Sequence, residues 1–166
     1  MSGLREFDVR SGVDEDAWEL TVAGAVKRAV HLSADDLAAL PLETDTADFA
    51  CAEGWVAEDL TWRGVRVADV LALAEPTDAG AYALVSGMDD DYACSFPLSR
   101  LADAVLAVEL DGEALPVEHG GPARLVPAGA DSDCWEHVKW VSRIDVRETD
   151  PLEEDTAKEL ALSRLE

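Results

Sequence analysis

The chain has 166 residues, a length typical of one domain with its own hydrophobic core. It carries 13 Lys plus Arg against 36 Asp plus Glu, a formal net charge of -23, while 48% of its residues are hydrophobic. This combination excludes a disordered acidic chain and makes nucleic acid a poor partner, because phosphate backbones attract basic surfaces. It also favours a halophilic protein from a salt-rich cytoplasm over an ordinary acidic protein, since concentrated salt screens the self-repulsion of an acidic surface.

The sequence predicts a cytoplasmic protein without a membrane span. It opens with no charged and apolar leader, and no apolar run approaches the roughly 20 residues that a spanning helix needs. The three cysteines, Cys51, Cys94 and Cys134, lack Cys-x-x-Cys spacing. Neither a disulfide framework nor a structural zinc site is therefore indicated.

The first part of the chain is predicted to hold an arm, a strand and a short helix. Residues 1–17 are polar and acidic, and we expect them to form a loose arm. Residues 18–22 alternate as a half-buried strand does, and Gly24 stops the strand. Ser33 is placed as the N-cap of a short helix that ends before Pro41.

The middle of the chain is predicted to form a longer helix and then several strands. Apolar residues at i, i+3, i+4 and i+7 over 67–74 predict a helix that closes before Pro76. Tyr92, Cys94 and Phe96 share one face of a strand, so Cys94 is interpreted as a core residue. The strands predicted here are 81–85, 92–96 and 105–110, the last of which leads into an Asp111-Gly112 hairpin turn.

The end of the chain is predicted to contain a strand and a helix. Apolar residues alternate from Val138 to Val146, which predicts a long strand with Lys139 on its other face. Asp150 and Pro151 are typical of a helix N-terminus and predict a C-terminal helix within 150–166. Short strands and helices in irregular order favour an α+β fold for the domain over 18–149.

Seven motifs then occur in a fixed order. They are 20–24, 37–41, the Cys-x-x-Gly-Trp of 51–55, the Trp-Arg-Gly-Val of 62–65, 111–116, the His-Gly-Gly-Pro-Ala-Arg of 119–124, and Lys-Trp at 139–140. In order and spacing, this set resembles the molybdopterin-binding domain of the sulfite oxidase family, in its small stand-alone, reductase-like branch. The acidic composition suggests a haloarchaeal member. The resemblance covers about 18–147 and implies a mixed β-sheet, barrel-like core with short helices.

The resemblance implies an oxidoreductase module that depends on a molybdenum-molybdopterin cofactor. Such a module transfers an oxygen atom to or from a small-molecule substrate, or reduces that substrate. Cys51 is implied as the molybdenum ligand and catalytic centre, and soft metals do favour thiolate ligands. Because the sequence shows no haem-binding cysteines and no second redox domain, we expect an external electron-transfer partner.

Four further residues are implied in binding the cofactor. Arg124 follows a Gly-Gly-Pro turn, and its planar guanidinium suits a phosphate or the pterin's carbonyl edge. His119 begins the same turn, Lys139 is suited to neutralise the phosphate, and Ser86 ends a strand before a loop that lines the family's pocket. Arg124, His119, Lys139 and Cys51 each have a plainer interpretation. These are a surface arginine paired with an acid, a histidine that caps local backbone, a lysine whose stem packs on a tryptophan and, for Cys51, a buried structural thiol.

Two segments depart from the family pattern and keep an alternative open. Residues 1–17 match no cofactor-contacting segment, and 131–137 carries three acids where the family's loop is often basic. The alternative function is a non-enzymatic domain that keeps the fold, has lost the cofactor and acts as a binding module. The sequence predicts that Cys51, His119, Arg124 and Lys139 converge on one concave pocket.

Overall fold

A computed structural model describes residues 18–50, 56–88, 92–127 and 136–157. Within these ranges the chain forms ten strands in two sheets and three short α-helices, which confirms the predicted α+β class. The strands are β1 (Leu20–Gly24), β2 (Val30–Leu32), β3 (Leu42–Ala50), β4 (Val56–Arg66), β5 (Tyr82–Gly87), β6 (Ala93–Pro97), β7 (Val105–Leu110), β8 (Glu113–Ala114), β9 (Arg124–Val126) and β10 (Val141–Arg147). The helices are α1 (Ala34–Ala38), α2 (Val67–Ala74) and α3 (Leu98–Ala102), with 3₁₀ turns at Val117–His119 and Leu152–Glu154.

The first sheet has the strand order β2-β1-β10-β5-β6. β1 lies parallel to β10, whereas the other neighbours are antiparallel. The alternation expected in this sheet is confirmed, because Leu20 and Val22 of β1 and Cys94 and Phe96 of β6 are all buried.

The second sheet is built on the antiparallel β3–β4 pair, with the order β3-β4-β7 and with β8 and β9 both paired to the far side of β7. An irregularity between Arg63 and Gly64 shifts the β4–β7 register. A Cβ at Gly64 would lie only 2.1 Å from the carbonyl oxygen of Leu106, so only glycine fits here. Gly64 lies opposite Ala107, which in turn lies opposite Arg124, and this row crosses three strands.

Two of the predicted helices, α1 and α2, form where the sequence places them. In α1, the Ser33 hydroxyl accepts from the Asp36 N–H at 3.2 Å, and the Asp36 carboxylate accepts from the Ser33 N–H at 2.9 Å. This reciprocal pair is a capping box. The apolar stripe of α2 is buried in a core that includes residues of both sheets, and the helix ends at Glu75 with a φ of 55°. Among the described residues, no helix is long and apolar enough to cross a bilayer.

The strand predicted from Val138 begins later, at Val141. The preceding backbone is bonded to 120–125: the Leu125 N–H donates to Val138 at 2.9 Å, and the Trp140 N–H donates to Gly120 at 2.9 Å. Trp140 also has a φ of 52°, which is incompatible with a strand. Val138 and Trp140 are nevertheless buried. The alternating pattern therefore predicted the burial of Val138 and Trp140 correctly and the strand's start wrongly.

The helix predicted to open at Asp150 is instead a single 3₁₀ turn over Leu152–Glu154. The next residues bond to the edge strand β6. The Asp155 carboxylate accepts from the N–H and hydroxyl of Ser95 at 2.9 Å each, and the Thr156 N–H donates to the Ala93 carbonyl at 2.8 Å. These bonds protect the edge of the first sheet from further pairing. The rest of that predicted helix and the predicted arm over 1–17 lie outside the described residues.

Candidate cofactor site

Arg124, the first residue of β9, is a buried cation with a side chain only 1% exposed. Its Nη1 donates to the His119 carbonyl at 3.0 Å, and its guanidinium carbon lies 4.9 Å from the centroid of the Trp62 ring. A buried charge is costly unless hydrogen bonds and favourable contacts compensate, and tryptophan gives the strongest cation–π contact. The plainer interpretation of Arg124 as an exposed surface arginine is therefore wrong.

The turn before β9 brings His119 against Arg124. The 3₁₀ turn Val117–His119 ends at Gly120, whose φ of 102° is left-handed. His119 is 8% exposed, and its Nδ1 is buried with no hydrogen-bond partner among the described residues. Buried polar atoms of native proteins are normally hydrogen-bonded, so such an atom suits a bound ligand.

Lys139 approaches Arg124 over Gly120. A Cβ added to Gly120 would lie 2.9 Å from Lys139 Cγ and 3.3 Å from Arg124 Cδ, so both side-chain stems pass over this glycine. The Lys139 ammonium lies 5.9 Å from the centroid of the Trp140 ring. The plainer interpretation packed the stem of Lys139 on this tryptophan, whereas here the ammonium itself lies over the ring. Such a cation–π contact does not exclude binding of an anion by the same ammonium.

His137 is a member of this cluster that sequence reasoning missed. Its ring centroid lies 6.4 Å from that of Trp62 at an interplanar angle of 56°. The pKa of His137 lies well below 6.5, first because the ring is desolvated and then because the charges of Arg124 and Lys139 oppose protonation. The imidazole is therefore neutral at pH 7, and its lowered pKa reflects a positive field from both cations. The sequence signal was its position two residues before Lys139.

Glu136 is one of the three acids that were expected to oppose an anion. Its side chain is 12% exposed and accepts hydrogen bonds from both terminal guanidinium nitrogens of Arg100. The distance from Arg100 Nη2 to Glu136 Oε1 is 2.9 Å. This bidentate pair neutralises the carboxylate. The other two acids of that expectation, Asp131 and Asp133, lie outside the described residues.

Ser86 belongs to the first sheet, whereas Arg124 belongs to the second. It lies half-buried in β5 opposite Arg143 of β10. The end of β5 reaches the cluster through the backbone, because the Met88 N–H donates to the Trp140 carbonyl at 2.8 Å. Ser86 is therefore tied to the site by its strand rather than by a described side-chain contact.

Of the four residues predicted to converge on one pocket, the structure places three side by side, His119, Arg124 and Lys139. Cys51, the proposed metal ligand, and Cys134 lie outside the described residues. Within the described ranges, no group of three or more His, Cys, Asp or Glu is arranged to hold a metal ion. Cys94 is 3% exposed in β6, as expected for a core residue.

Comparison with known proteins shows the family. Residues 6–154 match the family model described as "Oxidoreductase molybdopterin binding domain". The chain is 33% identical over 165 residues to mitochondrial sulfite oxidase of Homo sapiens. This match covers 81% of the present chain and 30% of the sulfite oxidase. It is 32% identical over 143 residues to "Uncharacterized oxidoreductase YuiH" of Bacillus subtilis (strain 168), covering 85% of this chain and 71% of that protein.

A solved structure agrees with these sequence matches. The fold is similar to the sulfane dehydrogenase SoxCD from Paracoccus pantotrophus, with a TM-score of 0.77 and 28% identity over 84% of this chain and 40% of that chain. The chain thus spans less than half the length of the sulfite oxidase and of the sulfane dehydrogenase chain that it matches.

The residues around Arg124 fit an anionic, heterocyclic cofactor. A buried guanidinium and a nearby ammonium provide positive charge, and the buried Nδ1 of His119 provides a hydrogen-bonding atom. Together with the match over 6–154, this shows that the chain belongs to the oxidoreductase molybdopterin-binding domain family, whose cofactor is molybdenum-molybdopterin.

Proposed function

We propose that this chain is an oxidoreductase module that binds molybdenum-molybdopterin beside His119, Arg124 and Lys139 and acts on a small-molecule substrate. The observation that carries the proposal is the burial of Arg124, 1% exposed, next to a second cation. Replacing buried charges by well-packed apolar residues often stabilises a fold. A domain without a ligand would gain nothing from this cluster, so its presence supports cofactor binding over the non-enzymatic alternative.

Each residue of the cluster has a separate role in the proposal. Arg124 donates charge-assisted hydrogen bonds to the pterin's carbonyl edge or to phosphate oxygens. Lys139 neutralises phosphate charge with an ammonium that lies over the Trp140 ring. His119 offers Nδ1 as one further hydrogen-bonding atom. Because the pKa of His137 lies well below 6.5, its ring stays neutral, and the positive charge of the cluster comes from Arg124 and Lys139.

Cys51 is proposed as the molybdenum ligand and catalytic residue, since thiolate sulfur suits soft metals. When bound, the metal supplies two-electron chemistry, by which an oxygen atom is transferred or the substrate is reduced. Ser86 is proposed as an outer contact at the end of β5, whose backbone bond to Trp140 fixes that strand end at the site. An external protein exchanges electrons with the module.

The substrate is proposed as a class. Relatives of this chain are named for sulfite oxidation and sulfane dehydrogenation, so small sulfur compounds are the first substrates to assay. The proposed setting is a salt-rich cytoplasm, because the net charge of -23 is tolerated best where salt screens it.

Cofactor content tests this function. Protein purified from a host that makes the cofactor should carry stoichiometric molybdenum, measured by elemental analysis, and pterin, measured as its fluorescent oxidation product. Cys51→Ser should lose molybdenum and turnover while it remains folded, because a hydroxyl is a poor ligand for a soft metal.

Cys94→Ser is the matched control. It should lower the thermal midpoint and keep the metal, because Cys94 is packed in β6. Folded wild-type protein with neither molybdenum nor pterin would replace the proposal with the non-enzymatic alternative. Loss of the metal from Cys94→Ser alone would show that the wrong cysteine was chosen.

A further inference from the structure

Trp62 and Arg124 lie on the two strands that flank β7. The row of Gly64, Ala107 and Arg124 crosses β4, β7 and β9. Trp62 is two residues from Gly64 and therefore points to the same face of the sheet. Because Gly64 has no side chain and Ala107 has only a methyl group, the stem of Arg124 has room to cross β7 toward the indole.

The Trp62 indole is a contact surface shared by two site residues. The guanidinium carbon of Arg124 lies 4.9 Å from its centroid, and the His137 ring lies 6.4 Å away at a tilt. Trp62 itself is 1% exposed and is fixed by the pairing of β4 with both β3 and β7. An arginine side chain has many rotamers, whereas this ring is rigid and anchored, so the ring determines where the guanidinium lies.

We propose that Trp62 is a positioning residue of the cofactor site, whose indole, packed against His137, holds the guanidinium of Arg124 in the orientation that binds the anionic cofactor. The identity of the ligand rests on the proposed function, whereas the contact itself does not. A guanidinium held in place before binding loses less rotamer freedom when it binds, and this raises affinity. Removing the ring should therefore weaken binding although the charge remains.

The first experiment compares pterin content per folded chain among three variants. Trp62→Leu should lower it about tenfold, the scale of a desolvated cation–π contact. Trp62→Phe keeps an aromatic face, so its pterin content should stay close to that of the wild type. Phe96→Leu is the control, because Phe96 carries a second arginine contact, with the Arg100 guanidinium 5.6 Å from its ring, and it should leave pterin content unchanged. The proposal is overturned if folded Trp62→Leu retains wild-type pterin, or if Trp62→Phe loses as much as Trp62→Leu.

The second experiment needs no cofactor. The sequence has only three histidines, so the ring signals of His137 can be assigned by single substitutions and titrated by NMR. Arg124→Gln should raise the pKa of His137, because the Arg124 charge helps to lower it. If Trp62 holds Arg124 beside His137, the same substitution should raise the pKa by less in a Trp62→Leu background.

The two experiments separate two kinds of failure. An equal rise of the His137 pKa in both backgrounds would overturn the positioning role, whatever the ligand. Wild-type protein that carries no pterin would overturn the proposed function, and the NMR cycle would still decide whether Trp62 positions Arg124. Trp62→Met takes the place of Trp62→Leu in both experiments if that variant does not fold.

Discussion

Among the described residues, two arginine–aromatic pairs look alike and differ in their surroundings. The guanidinium of Arg100 lies 5.6 Å from the Phe96 centroid, and that of Arg124 lies 4.9 Å from the Trp62 centroid. The Arg100 side chain is 36% exposed and binds the carboxylate of Glu136 through both terminal nitrogens. Arg124 is 1% exposed and donates to a backbone carbonyl.

The difference shows how one residue type serves two purposes. Glu136 neutralises Arg100, so this pair ties α3 to the segment that carries His137 and Lys139. Arg124 donates to a backbone carbonyl and lies over the Trp62 ring, and its charge adds to the desolvation that lowers the pKa of His137. We infer that the first arginine stabilises the segment, and we propose that the second binds the cofactor.

The largest effect is expected when each arginine loses its charge. Arg124→Gln should lower pterin affinity by about a hundredfold, because charge-assisted hydrogen bonds contribute about 1.5–3 kcal/mol each. Arg100→Gln should retain pterin and lower the free energy of unfolding by roughly 1 kcal/mol, since it removes a partly exposed ion pair. Pterin content and urea unfolding of both variants check this. Similar pterin loss in both would contradict the assignment of different roles.

Gly120 offers a way to disturb the binding arginine without changing any charge. Gly120→Ala combines a left-handed φ of 102° with a Cβ 2.9 Å from the Lys139 stem, and should lower the free energy of unfolding by about 2 kcal/mol. Gly112→Ala is the control, because its φ is 86° but no atom lies within 4 Å of the added Cβ. Gly112→Ala should lower the free energy of unfolding by about 1 kcal/mol, from backbone strain alone. Equal costs in denaturant titrations would show that Gly120 is not crowded by these stems.

Local sequence patterns predicted much of the fold. The N-cap at Ser33, the apolar stripe of α2 and the alternating burial of β1 and β6 depend on neighbouring residues alone, and all are confirmed. The predicted start of β10 was wrong, because the backbone of Val138 and Trp140 is hydrogen-bonded to a distant turn instead of to a strand of the first sheet. Alternation reports which side chains are buried, but it does not identify the partner of the backbone.

The site was only partly accessible to the same reasoning. His119, Arg124 and Lys139 were identified through motifs, and they do lie together. The contact of Trp62 with Arg124 depends on a register shift between β4 and β7 and on the small residues Gly64 and Ala107, and no local pattern encodes either. Glu136 was expected to oppose an anion. The sequence did not reveal that Arg100 neutralises it, because the two residues are 36 positions apart in the chain.

The two cations of the site should also affect stability through His137. The pKa of His137 in the folded protein lies well below the 6.5 of the unfolded chain, so the unfolded chain takes up a proton that the folded protein does not. Above pH 6.5 both states are neutral, and the residue has no effect. As the pH falls below 6.5, stability should drop by at most about 1.4 kcal/mol per pH unit for this group.

Urea unfolding at pH 7.5 and at pH 5.5 measures this drop. His137→Gln should make the drop smaller, because the amide takes up no proton in either state. His31→Gln, at a histidine side chain that is 61% exposed, should leave the wild-type drop in place. The same drop in wild type and His137→Gln would show that His137 is not held neutral by its surroundings.

The smallest effect is expected from salt, which acts on the exposed charges and hardly on the buried arginine. The Debye length falls from about 10 Å at 0.1 M to about 3 Å at 1 M, so salt screens both the exposed ion pairs and the repulsion among the 36 acids. With a net charge of -23, relief of repulsion should dominate, and the thermal midpoint should rise by a few degrees in molar potassium chloride.

Arg143→Gln, which removes an exposed pair with Asp145, should lower the midpoint in dilute buffer only. The midpoint shift of Arg124→Gln should be nearly the same at both salt concentrations, because a buried charge is screened little. A wild-type midpoint that falls with salt would contradict the halophilic interpretation, and a strongly salt-dependent shift for Arg124→Gln would place that charge in contact with solvent.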